Sequence, residues 1–337
     1  MGSGPRVSSP VELANAHSAE LTGDGWVGLT RKAGGDLATI QPLVLVWSKA
    51  GGAVERLELP FSGAAAAGGG TPYLVEANLR ERRFVYATGT QPKIRLQVWD
   101  KQDVGDAVEG SFALHGGSAV SKTQALVALG KMDPNGFVDR PTGPRAARFR
   151  NGAWAFVDLP KSPEKDWTDC FYDAAARPQS DEMIVLQICT APGRELAYAV
   201  YRLAADSDQP VRIPFDNSVF EPGAARGEFS VEDDGTIDLG VTVTGREGAV
   251  TLARLRGGGR KWHVVRLNMP ARLLSSVGVY RDRLLFTDGG SDVRESSDGG
   301  KTFRKIEPFG VEPGMVGRCN GWGCTFKSRD RVVFRRW

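Results

Sequence analysis

Apolar residues occur along the chain in short runs that are separated by turn-forming residues. Runs rich in β-branched, leucine and aromatic residues recur roughly every ten residues and are broken by Gly, Asp, Asn or Pro, a pattern that predicts strands and hairpins. Helical periodicity is almost absent, since the one candidate helical stretch, 11–20, does not keep an apolar repeat of 3.6 residues for two turns. About two dozen such runs predict an all-β protein.

The runs fall into groups of similar length. Several groups close with a run that leads into proline or phenylalanine, and the ends lie near residues 60, 115, 160, 214, 270 and 308. Successive ends are 38 to 56 residues apart, which is close to the length of a four-stranded propeller blade. A β-sandwich needs neither this period nor so many strands in one chain. The sequence therefore predicts a β-propeller.

Two groups show the four strands of a blade most clearly. Residues 227–270 and 276–309 each contain four runs joined by short turns. Residues 315–337 supply only three runs, and a strand within 11–29 would complete this last blade. Such a pairing of the two chain termini closes the ring and removes the open sheet edges that promote aggregation.

The blade count depends on one weakly marked stretch. Counting every group predicts seven blades, and six is the alternative if residues 119–160 are an insertion. Residues 1–10, which begin Met-Gly-Ser-Gly, are interpreted as a tag or flexible N-terminus. Residues 11–337 are then predicted to form a single propeller domain.

One motif in the second clear group is specific. Residues 296–303 read Ser-Ser-Asp-Gly-Gly-Lys-Thr-Phe and fit the pattern S-x-D-x-G-x-T-[WF]. In such a turn the Asp298 carboxylate accepts backbone N–H groups, Gly300 suits a positive φ, and the other positions add local hydroxyl bonds or inward packing. The five motif residues are Ser296, Asp298, Gly300, Thr302 and Phe303.

The motif resembles the Asp-box (BNR) repeat of sialidase-like propellers and of their non-catalytic relatives. The resemblance implies a structural turn between the third and fourth strands of a blade, and it does not imply a catalytic group. Three partial copies support it. Residues 257–262 keep the glycines and the closing aromatic, 151–154 are shorter, and 49–52 keep only glycines.

The catalytic signature of that family is not matched. Arg212-Ile213-Pro214 spells the tripeptide whose arginine binds a substrate carboxylate in sialidases, but Val211 replaces the aromatic residue before it. It also falls at the end of a middle blade instead of the start of the first. We interpret it as a chance match. The six tyrosines lie in strand-like runs, where aromatic packing explains them: Tyr73, Tyr86, Tyr172, Tyr198, Tyr201 and Tyr280.

Other catalytic or metal chemistry has equally little support. The chain has three histidines, His17, His115 and His263, and no G-x-S-x-G elbow or H-E-x-x-H motif. His263 is expected to face outward from a strand. The acidic segment 232–235 is interpreted as a solvated hairpin turn, because it lacks the alternating carboxylates of a calcium loop. The sequence predicts no catalytic residue, no cofactor and no metal site.

The four cysteines indicate the compartment. Cys319 and Cys324 flank a four-residue turn. Cys170 and Cys189 lie on two runs that flank a turn at 174–181, and the position midway between the two cysteines falls within this turn. Both pairs are expected to face each other across hairpins, at a separation that permits disulfides. A four-cysteine zinc site and reduced buried thiols are the alternatives. Two disulfides predict an extracytoplasmic protein, whether periplasmic, secreted or surface-attached.

Charge and hydropathy argue against two classes of protein. With 43 Lys and Arg against 40 Asp and Glu the net charge is +3, too small for a dedicated nucleic-acid binder, and no apolar run is long enough for a membrane helix. We expect a binding or assembly module that recognises a protein or glycan through an end face, without catalysis. The alternative is a glycoside hydrolase or lyase with a non-standard carboxylate site, and a third class is a purely structural domain. Two carboxylates, or three arginines, gathered at the channel mouth would favour the enzyme.

Overall fold

The computed structural model describes residues 12–14, 16–31, 41–49, 52–63, 71–90, 93–111, 113–132, 138–139, 145–220, 229–242, 249–257, 259–268, 277–287, 293–307, 310–311, 315–328 and 331–337. Within these ranges the chain is almost entirely extended, and the one helical segment is a 3-10 turn, Asn217–Val219. The predicted all-β class is confirmed. The tag or flexible end predicted at 1–10 lies outside the described residues.

The strands alternate with short turns along the whole described chain. The first fourteen are β1 (Glu12–Ala14), β2 (Ala16–Leu21), β3 (Gly25–Arg31), β4 (Pro42–Lys49), β5 (Glu55–Ser62), β6 (Tyr73–Asn78), β7 (Arg83–Thr90), β8 (Lys93–Asp100), β9 (Asp103–Ser111), β10 (Ala113–Val120), β11 (Ala125–Met132), β12 (Val138–Asp139), β13 (Arg145–Arg150) and β14 (Ala153–Asp158).

The remaining strands are β15 (Thr168–Ala176), β16 (Met183–Ala191), β17 (Arg194–Leu203), β18 (Val211–Ile213), β19 (Phe229–Val231), β20 (Ile237–Thr242), β21 (Ala249–Leu255), β22 (Trp262–Asn268), β23 (Val277–Tyr280), β24 (Arg283–Thr287), β25 (Val293–Ser296), β26 (Arg304–Ile306), β27 (Val316–Asn320), β28 (Gly323–Lys327) and β29 (Arg331–Arg336). The last eleven agree in number and place with the runs predicted for 227–270, 276–309 and 315–337.

The chain divides into two compact units, and the first comprises Met1–Gly63, Arg246–Ala249 and Arg266–Trp337. In this unit β2 to β5 pair in sequence order as antiparallel neighbours, and so do β23 to β26. A further four-stranded sheet has the order β1-β29-β28-β27, in which Leu13 pairs with Val332. The N-terminal strand therefore completes the sheet formed by the last three strands, as the sequence predicted.

The second unit comprises Ala64–Gly245 and Val250–Val265. In it β6 to β9 pair in sequence order, and β15 to β18 and β19 to β22 form sheets of four consecutive strands. The order β10-β11-β13-β14 forms another sheet, with the short β12 paired to β11. The weakly marked stretch around 119–160 thus builds a sheet of its own.

Within each unit, neighbouring sheets pack face to face through apolar side chains. In the second unit Val85 and Leu96 pack with Val127 and Phe149, and in the first unit Leu285 and others pack with Phe326 and Val333. The fourth strands β14, β18 and β26 are mostly exposed, whereas the inner strands are buried. This burial follows from the short apolar runs, because only the outermost strand of a stacked sheet faces water on most of its surface.

One predicted boundary differs from the structure. The sequence placed a turn at 174–181, but β15 continues through Ala176, where it pairs with Met183. The partner strand β16 is buried along most of its length, and the small side chains of Ala174 and Ala176 pack against the same core. Pairing with a buried strand therefore overrides the weak strand propensity of alanine.

Candidate functional site

The motif loop 296–303 joins β25 to β26 and is held by one carboxylate. Asp298 Oδ1 accepts hydrogen bonds from the backbone N–H groups of Lys301 and Thr302, both at 3.0 Å, and from the Ser296 hydroxyl at 2.8 Å. Its Oδ2 accepts from the Thr302 hydroxyl at 2.6 Å. The Gly300 N–H donates to the Ser296 Oγ at 2.9 Å, and Gly300 has a φ of 89°. Phe303, the closing aromatic, is half-buried.

The hydrogen bonds also set the ionisation of Asp298. The side-chain bond from Thr302, followed by the backbone bond from the same residue and the bond from Ser296, lowers the pKa of Asp298 well below its usual range. The carboxylate is therefore ionised at any physiological pH and acts as an acceptor. A group in this state holds the turn and has no proton to give to a substrate.

The three partial copies of the motif all lie in corresponding turns. Residues 257–262 lead from β21 into β22, residues 151–154 from β13 into β14, and residues 49–52 from β4 into β5. Each turn joins the third and fourth strands of its sheet. In the first of them a Cβ added at Gly257 would lie 2.0 Å from the Asp234 carbonyl oxygen, so a side chain has no room there. Ala50, Gly51 and Gly258 lie outside the described residues.

A cavity of about 330 Å³ lies beside the motif loop, and we call it the Arg281 pocket. In an antiparallel sheet the turn between strands one and two and the turn between strands three and four share an end, which brings the β23–β24 turn next to Ser297. The β27–β28 turn and Trp337 complete the wall. The lining residues are Tyr280, Arg281, Asp282, Arg283, Ser297, Gly321 and Trp337.

Two arginines of this pocket lie against aromatic rings. The guanidinium carbon of Arg281 is 5.3 Å from the centroid of the Tyr280 ring, and that of Arg283 is 4.9 Å from the Trp337 ring. Trp337 is fixed in turn, because its Nε1–H donates to the Asn320 carbonyl at 2.7 Å. Such stacking uses the face of the guanidinium and leaves its N–H groups in the plane for hydrogen bonding.

The motif loop and the pocket are connected through the backbone. The Gly299 N–H donates to the Asp282 carbonyl at 2.8 Å. This bond links the β23–β24 turn to the motif loop that Asp298 holds together. The side chains that line the pocket carry two guanidinium groups and one carboxylate, that of Asp282, so their summed charge is positive. Its chemistry suits an anionic group next to an apolar or ring surface.

Sequence reasoning missed the Arg281 pocket. Tyr280 was explained by strand packing, and residues 315–337 were predicted to supply three strands, which β27, β28 and β29 confirm without indicating a pocket. The pocket joins residues that are more than 50 positions apart in the sequence. The one available signal was the dense Tyr-Arg-Asp-Arg turn at 280–283.

The residues that suggested catalysis are not brought together. Arg212 lies on the outer strand β18, where it is partly exposed and pairs with Glu164 at 3.5 Å. His263 is exposed on β22, as expected. His115 lies on β10, and its side chain is not among those described. His17 is half-buried at the start of β2.

The acidic segment 232–235 differs from the prediction of a solvated turn. It does form the β19–β20 turn, but Glu232 is 5% exposed and its carboxylate accepts a hydrogen bond from Arg254 at 2.6 Å. Asp238, 3% exposed, accepts from the same guanidinium at 2.5 Å. Asp233 pairs with Arg80 at 2.7 Å. Buried Arg254 supplies the counter-charge that draws Glu232 inward, and that arginine is 22 positions away, where no local pattern predicts it.

The cysteines form the two predicted disulfides, Cys170–Cys189 and Cys319–Cys324, and no cysteine is free. Cys319 and Cys324 are direct partners in the β27–β28 register. Zinc ligation and reduced thiols, the two alternatives, are therefore not the arrangement found. Across the described ranges, His, Cys, Asp and Glu side chains do not gather in threes in a way that would hold a metal ion.

Solved structures of low sequence identity share this architecture. A prolyl endopeptidase matches with a TM-score of 0.55 and 13% identity over 95% of this chain, which spans about half (46%) of the endopeptidase. An ulvan lyase, a polysaccharide lyase solved with -[GlcA(1-4)Rha3S]-, matches with a TM-score of 0.51 and 10% identity over 98% of this chain and 93% of the lyase. No protein-family model and no curated protein sequence matches the chain. Both solved structures contain β-propellers, and the likeness assigns the chain to this class of fold.

The described part of the chain contains no helix with the length and apolar character needed to span a lipid bilayer.

Proposed function

We propose that this chain is an exported, non-catalytic β-propeller that binds an acidic glycan through one end face. The observation that carries the proposal is the Arg281 pocket, in which Arg281 and Arg283 lie against aromatic rings at the turn end of their sheets. Arginine, tyrosine and tryptophan are the residues most often found at the energetic centre of binding sites. A cavity of this size admits one or two sugar units.

The number of blades, the closure of the ring and the relation to Asp-box propellers are part of the same proposal. We assign the described strands to seven blades of four, from β2–β5 to β27–β29 with β1, and place the short β12 beside the third blade. Pairing of β1 with β29 then closes the ring. The carboxylate-centred turn at 296–303 supports membership of the Asp-box (BNR) repeat superfamily of sialidase-like propellers, as do the three partial copies in corresponding turns.

Export is supported by the two disulfides. Thiols in the cytosol are kept reduced, whereas disulfides persist in the periplasm, on cell surfaces and in secreted proteins. Acidic polysaccharides occur in the same locations. The ulvan lyase of similar fold was solved with a saccharide that carries carboxylate and sulfate groups. At 10% sequence identity, its likeness to this chain concerns the fold alone.

No specific observation favours the alternative of a glycoside hydrolase or lyase. Glycoside hydrolases place two carboxylates on opposite sides of the scissile bond, within about 5–10 Å of each other. Among the side chains that line the Arg281 pocket, Asp282 supplies one carboxylate and the others supply none. The described Glu232 and Asp238 do lie around one guanidinium, but both are buried and each is ion-paired with it.

A glycan array with neutral, carboxylated and sulfated oligosaccharides tests the proposal. We expect retention on carboxylated or sulfated glycans, and a loss of at least about tenfold in affinity for the double variant Arg281→Ala/Arg283→Ala, because charge-assisted hydrogen bonds are removed. Arg56→Ala on β5, exposed and outside the pocket, is the matched control and should bind as the unmodified chain does.

Three results would count against it. Equal binding by the double variant would remove the pocket from the interaction. Binding to none of the glycans would point to a protein partner or a structural role. Release of unsaturated or reducing sugar ends from any glycan on the array would favour the enzymatic alternative.

A further inference from the structure

Four basic side chains lie where the start of β2 and the end of β3 meet β27 and β28, away from the Arg281 pocket. His17 lies at the start of β2, Arg31 at the end of β3, Arg318 within β27 and Lys327 at the end of β28. All four belong to the first compact unit. Arg31 and Arg318 are exposed, whereas His17 and Lys327 are half-buried. We call this group the basic cluster.

The strand packing explains the convergence. Asn320 Nδ2 donates to the Leu21 carbonyl at 2.9 Å, and a Cβ added at Gly323 would lie 2.7 Å from Leu21 Cδ1. The end of β2 therefore meets the start of β28, and the start of β2 meets the end of β28, where Lys327 lies. Antiparallel pairing of β2 with β3 brings Arg31 to the same place, because Ala16 pairs with Thr30.

The basic cluster is electrostatically unsatisfied within the described residues. Lys327 faces Arg318 and Arg31, and His17 faces Lys327 and Arg31. Burial, followed by these like charges, lowers the pKa of both Lys327 and His17. In the part of the chain that the structure describes, no carboxylate forms an ion pair with Arg31, Arg318 or Lys327. Converging cations without a counter-charge repel each other, and an anion between them removes that repulsion.

His17 adds an independent observation. Its Nε2 lies 3.3 Å from the Gly63 carbonyl oxygen, which can only accept, so Nε2 carries the proton. The other ring nitrogen, Nδ1, is buried and has no hydrogen-bond partner among the described atoms. A protonated imidazole would direct Nδ1–H toward an acceptor. An oxyanion held by the neighbouring cations would supply one.

We propose that His17, Arg31, Arg318 and Lys327 form a second binding site, which takes an oxyanion group such as a sulfate, phosphate or carboxylate. The site uses no residue of the Arg281 pocket and stands apart from the proposed glycan function. Its ligand is either a free inorganic anion or the charged group of a larger molecule. Both sources share the same chemistry.

The test is a titration of the full chain with sodium sulfate at constant ionic strength, with sodium phosphate and sodium glucuronate in parallel. Histidine-ring NMR follows the site, since the chain has three histidines and His17→Gln assigns the signal. We expect a saturable shift of the His17 signal in the millimolar range or below, and a rise in the pKa of His17, because a bound anion favours the charged imidazole. Tighter binding of glucuronate than of sulfate or phosphate identifies a sugar acid as the source, and the reverse identifies an inorganic anion.

Two variants distinguish the site from general salt effects. Lys327→Met should weaken sulfate binding at least tenfold, and should raise the thermal midpoint without sulfate, because it removes a half-buried like charge. Arg283→Ala, in the Arg281 pocket, should leave the His17 response unchanged. A His17 signal that does not saturate with any of the three anions, or that responds equally in Lys327→Met, would overturn the proposal. Loss of glycan binding in Arg283→Ala with an intact His17 response would show that the Arg281 pocket and the basic cluster bind their ligands independently.

Discussion

Replacement of Arg148 by alanine should lower the free energy of unfolding by about 3–5 kcal/mol, one of the two largest effects expected for this chain. Arg148 lies on β13 and is 1% exposed. Its guanidinium donates to Gln124 Oε1 at 2.6 and 3.1 Å, to the Ala204 carbonyl at 2.8 Å, to the Ala205 carbonyl at 3.1 Å and to Asp208 at 2.9 Å. It also donates to the Ser207 carbonyl.

The size of the effect follows from what the substitution leaves behind. Alanine removes a buried side chain, leaves Gln124 Oε1 without its charged donor and removes the charge-assisted bonds to the carbonyls of the β17–β18 turn. A buried acceptor without a donor costs about 1–3 kcal/mol, and the lost bonds and the cavity add to this. The measurement is equilibrium unfolding in urea, monitored by tryptophan fluorescence.

Arg150→Ala is the matched control, because Arg150 is on the same strand and pairs with the same Asp208 at 3.1 Å but is partly exposed. Its loss should cost less than about 1 kcal/mol. Equal destabilisation by the two substitutions would contradict the importance given to burial and to the number of acceptors around Arg148.

Removal of the Cys170–Cys189 disulfide by Cys→Ala substitution at both positions should cost about 3 kcal/mol. The bond closes a loop of 19 residues, and a longer loop loses more conformational freedom in the unfolded chain when it is closed. Cys189 is also fully buried, and alanine keeps a small apolar side chain at this position. Thermal and urea unfolding under oxidising conditions measure the change.

The second disulfide provides the comparison. Cys319–Cys324 spans 5 residues, and its removal should cost about 2 kcal/mol on the same basis. Reductant should lower the stability of the unmodified chain and have little effect on a variant that lacks all four cysteines. A reductant effect of equal size in both proteins would contradict a stabilising role for the bonds, and with it the main support for export.

Local pattern predicted much of the fold. The four strands predicted within 276–309 are present as β23 to β26, because each apolar run there is bounded by a turn signal. The pairing of Cys319 with Cys324 followed from a short symmetric hairpin. The β-strand at the N-terminus was predicted from the missing fourth strand of the last sheet, although its position within 11–29 was not.

Interactions between distant segments were not predictable in the same way. Arg148 meets acceptors nearly sixty residues further along the chain, and Glu232 is drawn inward by Arg254. The basic cluster collects side chains from both ends of the sequence. In each case the residues carry no periodic or spacing signal, since their proximity results from the stacking of sheets.

The proposed ring depends on the pairing of β1 with β29, and hydrogen exchange of the β29 amides tests this pairing most directly. In the full chain the β29 amides should be protected, because β29 lies between β1 and β28. In a variant that lacks residues 1–15, amides of β29 that bond to β1 should exchange at least about tenfold faster, while those of β16 in the second unit stay protected. Equal exchange of β29 with and without β1, at unchanged β16 protection, would contradict closure by the termini.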